Sequence, residues 1–345
     1  MIGGGLDEAR REAEVRDVAL EDLRLIVFSD LHRGVGDGAD DFRACRKIYH
    51  AALGYYDALD FTLFLLGDVE ELWERLLVGI VNRYEGTLDL ERAFFERGKG
   101  IRFLGNHDDS LTRPWNRPLI ERHLAGEKPR NGLVLRVREG EAEGGAALGD
   151  LLFVHGHQGI RYTGFDRFVV RRLWAPVQRL TGLGAGVPSA DMGLRLTHER
   201  ALYDWAARRG LLLVCGHTHH PVFMSAAWEQ TLRAELERLR ENGADPRTLA
   251  IKRAELQWAA ADLDEMKTSL PADARPCYFN TGCCSFSDGT ITGIEFADGR
   301  IRLVRWTGTT GLPVREVLRE ADLAGVLNQC TNGEHEDLSP DLRTS

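Results

Sequence analysis

The chain reads LIVFSDLH over residues 25–32. Four apolar residues in a row suit a strand buried on both faces, as in a parallel sheet. A carboxylate and an imidazole follow two positions apart, Asp30 and His32. Burial penalises both side chains unless something pairs them. The same arrangement recurs along the chain. LLGDVEELW sets Asp68 and Glu71 after an apolar run. FLGNHDD adds Asn106, His107 and Asp108. FVHGH adds His155 and His157, and VCGHTHHP adds His217, His219 and His220.

Working outward, the apolar runs predict strands at 25–28, 61–66, 101–104, 133–137, 151–154 and 211–214. Between the first two, DDFRACRKIYHAALGYYDAL has the spacing of an amphipathic helix with an acidic first turn. ELWERLLVGIVNRY, after Asp68, predicts a second helix. Strand, helix and strand in this order imply α/β layers. Later, CYFNTG, GTITGIEFADG and RIRLVRWTG read as antiparallel strands, with ADGR as a hairpin turn.

Sites in α/β sheets assemble at the carboxyl ends of strands, which is where each of these polar elements falls. A bound cation would neutralise Asp30 and His32 where they stand. Carboxylates, imidazoles and one amide oxygen, without a thiolate, suit Mn²⁺, Fe²⁺, Zn²⁺ or Co²⁺, with Mn²⁺ the first choice. Asp30, His32, Asp68, Asn106, His155, His217 and His219 exceed the needs of one ion. They could hold two ions about 3.5–4 Å apart with one carboxylate shared, a clamp for in-line displacement at phosphorus.

The 345 residues carry a net charge of -9, which argues against a broad nucleic-acid surface. The six cysteines form no CxxC pair, so neither a zinc finger nor a disulfide framework is expected. The first residues lack the apolar core of a secretory signal and no stretch is long enough to span a bilayer, so a cytoplasmic protein is expected.

Two segments read as insertions. Residues 159–209 carry Arg161, Arg167, Arg171, Arg172 and Arg179 among aromatic and aliphatic residues. Such a helix suits an amphiphilic phosphate ester or peripheral contact with a membrane; equally, it suits a surface helix packed on the core. Residues 226–270 read as a helical hairpin whose second arm bears Leu249, Leu256, Leu263 and Leu270. Its arms either pack on each other or form a homodimer.

DLH, GDxxE, GNHD, HGH and GHTH, in this order, resemble the calcineurin-like metallophosphoesterase family. The resemblance implies a two-sheet β-sandwich flanked by helices, and hydrolysis of a phosphoester or pyrophosphate bond by a hydroxide bridging two divalent ions. It implies that Asp30, His32 and His219 hold one ion, that Asn106, His155 and His217 hold the other, and that Asp68 bridges. His107 would stabilise the phosphoryl group or protonate the leaving oxygen, with Asp108 orienting it; Asp108 could instead cap a helix. Glu71, His157 and His220 are expected to support ligands from behind. Arg33, Arg161 and Arg167 are expected to bind substrate.

GDxxExW and the helical insert are similar to UDP-2,3-diacylglucosamine pyrophosphatases, which implies a nucleotide-sugar or lipid substrate. The chain departs from that pattern in having His107 where an arginine is usual, HGH for HGD, and the added hairpin. Monoesterase, diesterase and protein phosphatase activities stay open, with a non-catalytic scaffold and a nuclease as rivals. Residues 23–225 and 271–312 are read as the phosphoesterase domain, 1–22 as an N-terminal extension, and 313–345 as a C-terminal segment and tail.

Overall fold

In the computed structural model, residues 2–160, 192–223, 275–308 and 311–331 are described, with isolated positions 238, 240 and 249. Arg161, Arg167 and nearly all of the 226–270 hairpin lie outside the described residues.

Two six-stranded mixed sheets form the scaffold. The first is centred on β2 (Leu25–Phe28), whose parallel neighbour is β3 (Thr62–Leu66), followed by β4 (Gly100–Phe103). On its other side β2 pairs antiparallel with β10 (Ile291–Ala297), which continues to β11 (Arg300–Thr307) and β12 (Val314–Asp322). The second sheet runs β1 (Glu14–Ala19), β5 (Leu133–Arg138), β6 (Ala147–Phe153), β7 (Leu212–Cys215), β9 (Tyr278–Thr281) and β8 (Pro221–Phe223).

Strand periodicity divides β2 between two cores. Leu25 and Val27 join Phe64 and Phe103 against Leu151, Phe153 and Val214 of the opposite sheet. The Phe64 and Phe153 rings meet at 5.0 Å across that interface. Ile26 and Phe28 face the other way, into a cluster with Tyr49, Leu53 and Tyr56 of α2 (Phe42–Ala58) and Ile80 and Leu88 of α3 (Leu77–Glu96). Each such side chain contributes about 1.5–3 kcal/mol by leaving water. Both faces of β2 are therefore dry, and its polar residues must leave at its end.

The second sheet is covered by α5 (Met192–Arg209) and α6 (Leu323–Thr331), with α1 (Ile2–Glu12) lying on α5. Trp205 of α5 donates its indole N–H to Asp7 of α1 at 3.0 Å. A short α4 (Arg117–Glu121) follows the third ligand-bearing loop.

The early strands fall where the apolar runs place them, to within a few residues. At ADGR, Asp298 and Gly299 both take positive φ, 54° and 70°, and Ala297 pairs with Arg300. That is the geometry a two-residue type I′ turn requires. The second helix needs revision. Residues 71–76 are not helical, and α3 starts only at Leu77 and runs to Glu96, with a break in helical geometry at Tyr84. Within the stretch set apart as an N-terminal extension, Glu14–Ala19 is a strand paired in parallel with β5.

Candidate metal centre

Five loops converge where strands end. β2 delivers Asp30 and His32, β3 delivers Asp68 and Glu71, and β4 delivers Asn106, His107 and Asp108. β6 delivers His155 and His157, and β7 delivers His217 and His219. Three overlapping groups have donor atoms within 4.8 Å of one another: Asp30, His32 and His219; His32, Asp68 and His107; Asp68, His155 and His217. His32 and Asp68 each belong to two groups, so the sets form one continuous centre.

The backbone bends sharply to make this possible. Asp30, His32, Asp68, His217 and His219 all have φ between 47° and 71°. The left-handed region is costly for residues with a Cβ and tolerated best by Asp, Asn and His. Strain of this kind collects at functional sites, where the surrounding structure over-determines it. The loops also approach one another too closely for side chains at two glycines. A Cβ at Gly105 would overlap the Asp68 backbone and carboxylate, and one at Gly216 would overlap Ser29 and Asp30.

Hydrogen bonds set the orientation of each donor. The His155 Nδ1–H donates to the Leu66 carbonyl at 2.8 Å. Its Nε2 is thereby left facing Asp68 Oδ2 at 3.1 Å. His32 donates through Nδ1 to Glu71 Oε2 at 2.9 Å, and its Nε2 lies 3.0 Å from His219 Nε2. Two imidazole nitrogens at this distance converge on a common point. Asp68 Oδ1 accepts the His107 backbone N–H at 2.8 Å, which turns Oδ2 into the centre. Asp30 Oδ2 accepts the His217 N–H at 2.9 Å and the Ser29 hydroxyl. Behind it, Ser285 donates to the Asp30 carbonyl at 2.8 Å.

The electrostatics call for positive charge. Burial pushes the Asp30 carboxyl up, but the His219 and His155 imidazoles outweigh it and hold the group far below the usual range. Burial opposes protonation of His155 and His219, yet Asp68 and Asp30 pull the first up to about 9 and Asp30 pulls the second up to about 10. Burial and the neighbouring His155 keep His217 far below the ordinary imidazole range, hence neutral and able to donate a lone pair. Asp30 Oδ1 and Asn106 Oδ1 are buried and accept no hydrogen bond among the described residues. Buried oxygens are rarely left so, and a cation would satisfy both. The donor set therefore fits divalent metal ions.

His107 stacks on Trp73 with ring centroids 4.0 Å apart and planes 15° from parallel. Its Nδ1 lies 2.7 Å from Glu71 Oε2, the oxygen that also holds His32. Burial raises the Glu71 carboxyl, but His107 and His32 bring it down to about 2. Glu71, rather than Asp108, thus holds the His107 ring. Trp73 is buried and fixed by donating to the Asn106 carbonyl at 2.6 Å.

The Asp108 side chain makes no capping bond to the short 3₁₀ turn that follows it. Its carboxylate reaches back instead to the Gly105 N–H at 2.6 Å, the Val69 N–H at 2.8 Å and Arg102. Arg33 also departs from expectation. It is 1% exposed and bound to Glu70 at 2.7 Å and Glu91 at 2.9 Å, so it cannot meet substrate. The His157 ring lies 5.3 Å from that of His155, and His220 Nδ1 lies 3.5 Å from Glu199. His198 of α5 donates to the Gly156 carbonyl at 2.9 Å beside His217. His198 carried no signal in the sequence, since it lies on a helix away from any strand end. Arg102 did carry one: a charge in the apolar strand GIRF needs a buried partner. Cys283 and Cys284 are buried, and none of the six thiols opens to solvent.

A family model described as calcineurin-like phosphoesterase matches residues 23–221, more than half of the chain and every donor named above. No curated protein matches it.

Proposed function

Because the chain belongs to the calcineurin-like phosphoesterase family, we propose that it uses this centre to hydrolyse a phosphoric ester or anhydride with two divalent cations. The observation that carries the reading is the overlap of three donor sets through His32 and Asp68. Asp30, His32 and His219 would hold one cation. Asn106, His155 and His217 would hold the other, and Asp68 Oδ2 would be shared. Bound there, the cations acidify water and neutralise charge on phosphoryl oxygens.

The chain's own groups supply the rest. The Leu66 carbonyl and Glu71 fix the tautomers of His155 and His32 so that Nε2 of each faces inward. Glu71 and Trp73 hold the His107 ring between them. With its Nδ1 edge turned to the Glu71 carboxylate at 2.7 Å, His107 would present Nε2 as the proton donor to the oxygen that leaves phosphorus. The P–O bond to that oxygen breaks as an oxygen from water bonds to phosphorus, and the leaving group departs protonated. The ordering of His107 by two neighbours limits the reorganisation needed in the transition state.

A small phosphate ester is the proposed substrate class. GDxxExW, read here as Gly67 to Trp73, supports a nucleotide-sugar or lipid pyrophosphate as its finer form, and Mn²⁺ is the proposed metal. Turnover of an aryl monoester, an aryl diester and a nucleotide-sugar pyrophosphate, each with MnCl₂, tests the reading. Metal-dependent release of phosphate or nucleotide from one of them is expected. Mn²⁺-loaded protein inert toward all three would overturn it.

A further inference from the structure

Beneath the three loops of the first sheet lies a row of five buried charges that touches none of the reacting atoms. Glu91 of α3 pairs with Arg33 at 2.9 Å, and Arg33 with Glu70 at 2.7 Å. Glu70 pairs with Arg102 of β4, and Arg102 with Asp108. Signs alternate along the row, and every member is at most 3% exposed. Each end is a carboxylate whose pKa burial pushes up. A row of this kind is poor evidence for stability, because desolvation offsets the attraction. Its placement points to another role.

Arg33 follows the Asp30–His32 loop, Glu70 belongs to the Asp68 loop, and Asp108 belongs to the Asn106–His107 loop. The row therefore ties three donor-bearing loops together. Asp108 strengthens the tie by accepting N–H groups from Val69 and Gly105, one on each of two loops. The backbone contributes as well, since Arg33 N–H donates to Val69 O and Glu71 N–H to Arg33 O. The consequence reaches the centre through Asp68, whose Oδ1 is aimed by the His107 N–H on the neighbouring loop. The direction of Asp68 Oδ2 is therefore set by how far the two loops stand apart.

We infer that Arg102 is a positioning residue: by bridging Glu70 and Asp108 it sets the spacing of the Asp68 and His107 loops, and with it cation affinity and turnover. The inference rests on the hydrolase reading above. Without Arg102, Glu70 and Asp108 face each other uncompensated, and Asp108 relaxes its hold on Val69 and Gly105. A misplacement near 1 Å in such a site costs about 100-fold in rate.

The test compares wild type, Arg102→Met and Arg102→Lys as full chains. Binding of MnCl₂ to the metal-free proteins is measured by titration calorimetry, and kcat and KM on an aryl phosphodiester are measured with thermal melting alongside. Arg102→Met should bind Mn²⁺ about tenfold more weakly and lose about 100-fold in kcat, with KM little changed. Arg102→Lys keeps the charge but reaches one carboxylate well, so it should fall between. Wild-type Mn²⁺ affinity and kcat in a folded Arg102→Met would overturn the inference, whatever its melting point. Should Arg102→Met not fold, wild-type values in Arg102→Lys would overturn it equally. Wild-type protein that binds no Mn²⁺ would instead remove the hydrolase reading itself.

Discussion

Replacing Gly105 with alanine adds one methyl group at the place where two ligand loops touch. The added Cβ would lie 2.7 Å from Asp68 Cγ and closer still to the Asp68 backbone nitrogen, where ordinary contact begins at 3.4 Å. The shortfall at Cγ is about 0.7 Å and cannot be met by rotating a flexible side-chain tip, because backbone is struck as well. Either the Asp68 loop or the Gly105 loop must move by close to 1 Å. Displacement of that size costs about 100-fold in rate. Gly54→Ala provides the opposite case. Gly54 lies within α2, is exposed, and nothing stands within 4 Å of its added Cβ. There the change should stabilise by about 0.5–1 kcal/mol and leave turnover untouched. Steady-state kinetics on an aryl phosphodiester with Mn²⁺, together with melting curves, distinguishes the two. Gly105→Ala with wild-type kcat would refute the claim that contact between these loops sets the position of Asp68.

His107→Gln should lower kcat by roughly 10²–10⁴; the number of Mn²⁺ ions bound, read by elemental analysis, should stay at the wild-type value if His107 is not a ligand. In metal-free protein the Glu71 carboxyl stands at about 2 rather than 4.5, because His107 and His32 outweigh its burial. A depressed carboxyl stabilises the fold above its ordinary pKa and loses that contribution as pH falls toward its folded value. The unfolding free energies of wild type and Glu71→Gln in urea should therefore differ by about 3 kcal/mol at pH 6, and the gap should close from pH 4.5 downward; a gap constant with pH would contradict this. Chelation should abolish turnover and lower the melting temperature, and added Mn²⁺ should restore both; activity persisting in exhaustively chelated protein would count against the metal centre. All six thiols are buried, and burial pushes those of Cys45, Cys215, Cys284 and Cys330 up. Iodoacetamide should thus label almost nothing in the native protein and all six in urea, as mass spectrometry would show.

Much of this was legible because β2, β3 and β4 of the first sheet are dry on both faces along nearly their whole length. Such strands appear in sequence as unbroken apolar runs, and LIVF and LFLL end close to where the runs end. The donors were legible for a related reason: polar residues cannot remain in those runs, so they gather at the ends. What escaped follows different physics. Glu14–Ala19 is a half-exposed edge strand, and its sequence, EVRDVA, breaks up the apolar residues with charges. Val314–Asp322 reads VREVLREAD, whose spacing suits an amphipathic helix, yet tertiary pairing with β11 makes it a strand. Ile2–Glu12 contains three consecutive glycines and is helical because Leu6 and Ala9 are buried. Arg33 and Glu71 could not be placed from spacing, because their partners Glu91 and His107 lie on other elements.

The two strands at the heart of the centre each lean on a neighbour made late in synthesis. β2 is flanked by β10, and β7 by β9, both formed from residues after 277. A polypeptide released at residue 223 would carry every donor atom of the centre and would still present Leu25–Phe28 and Leu212–Cys215 as raw edges. The donors are thus fully translated some seventy residues (roughly a fifth of the chain) before the walls that hold them. Premature termination in that interval should yield a client for chaperones or proteases rather than a slow enzyme.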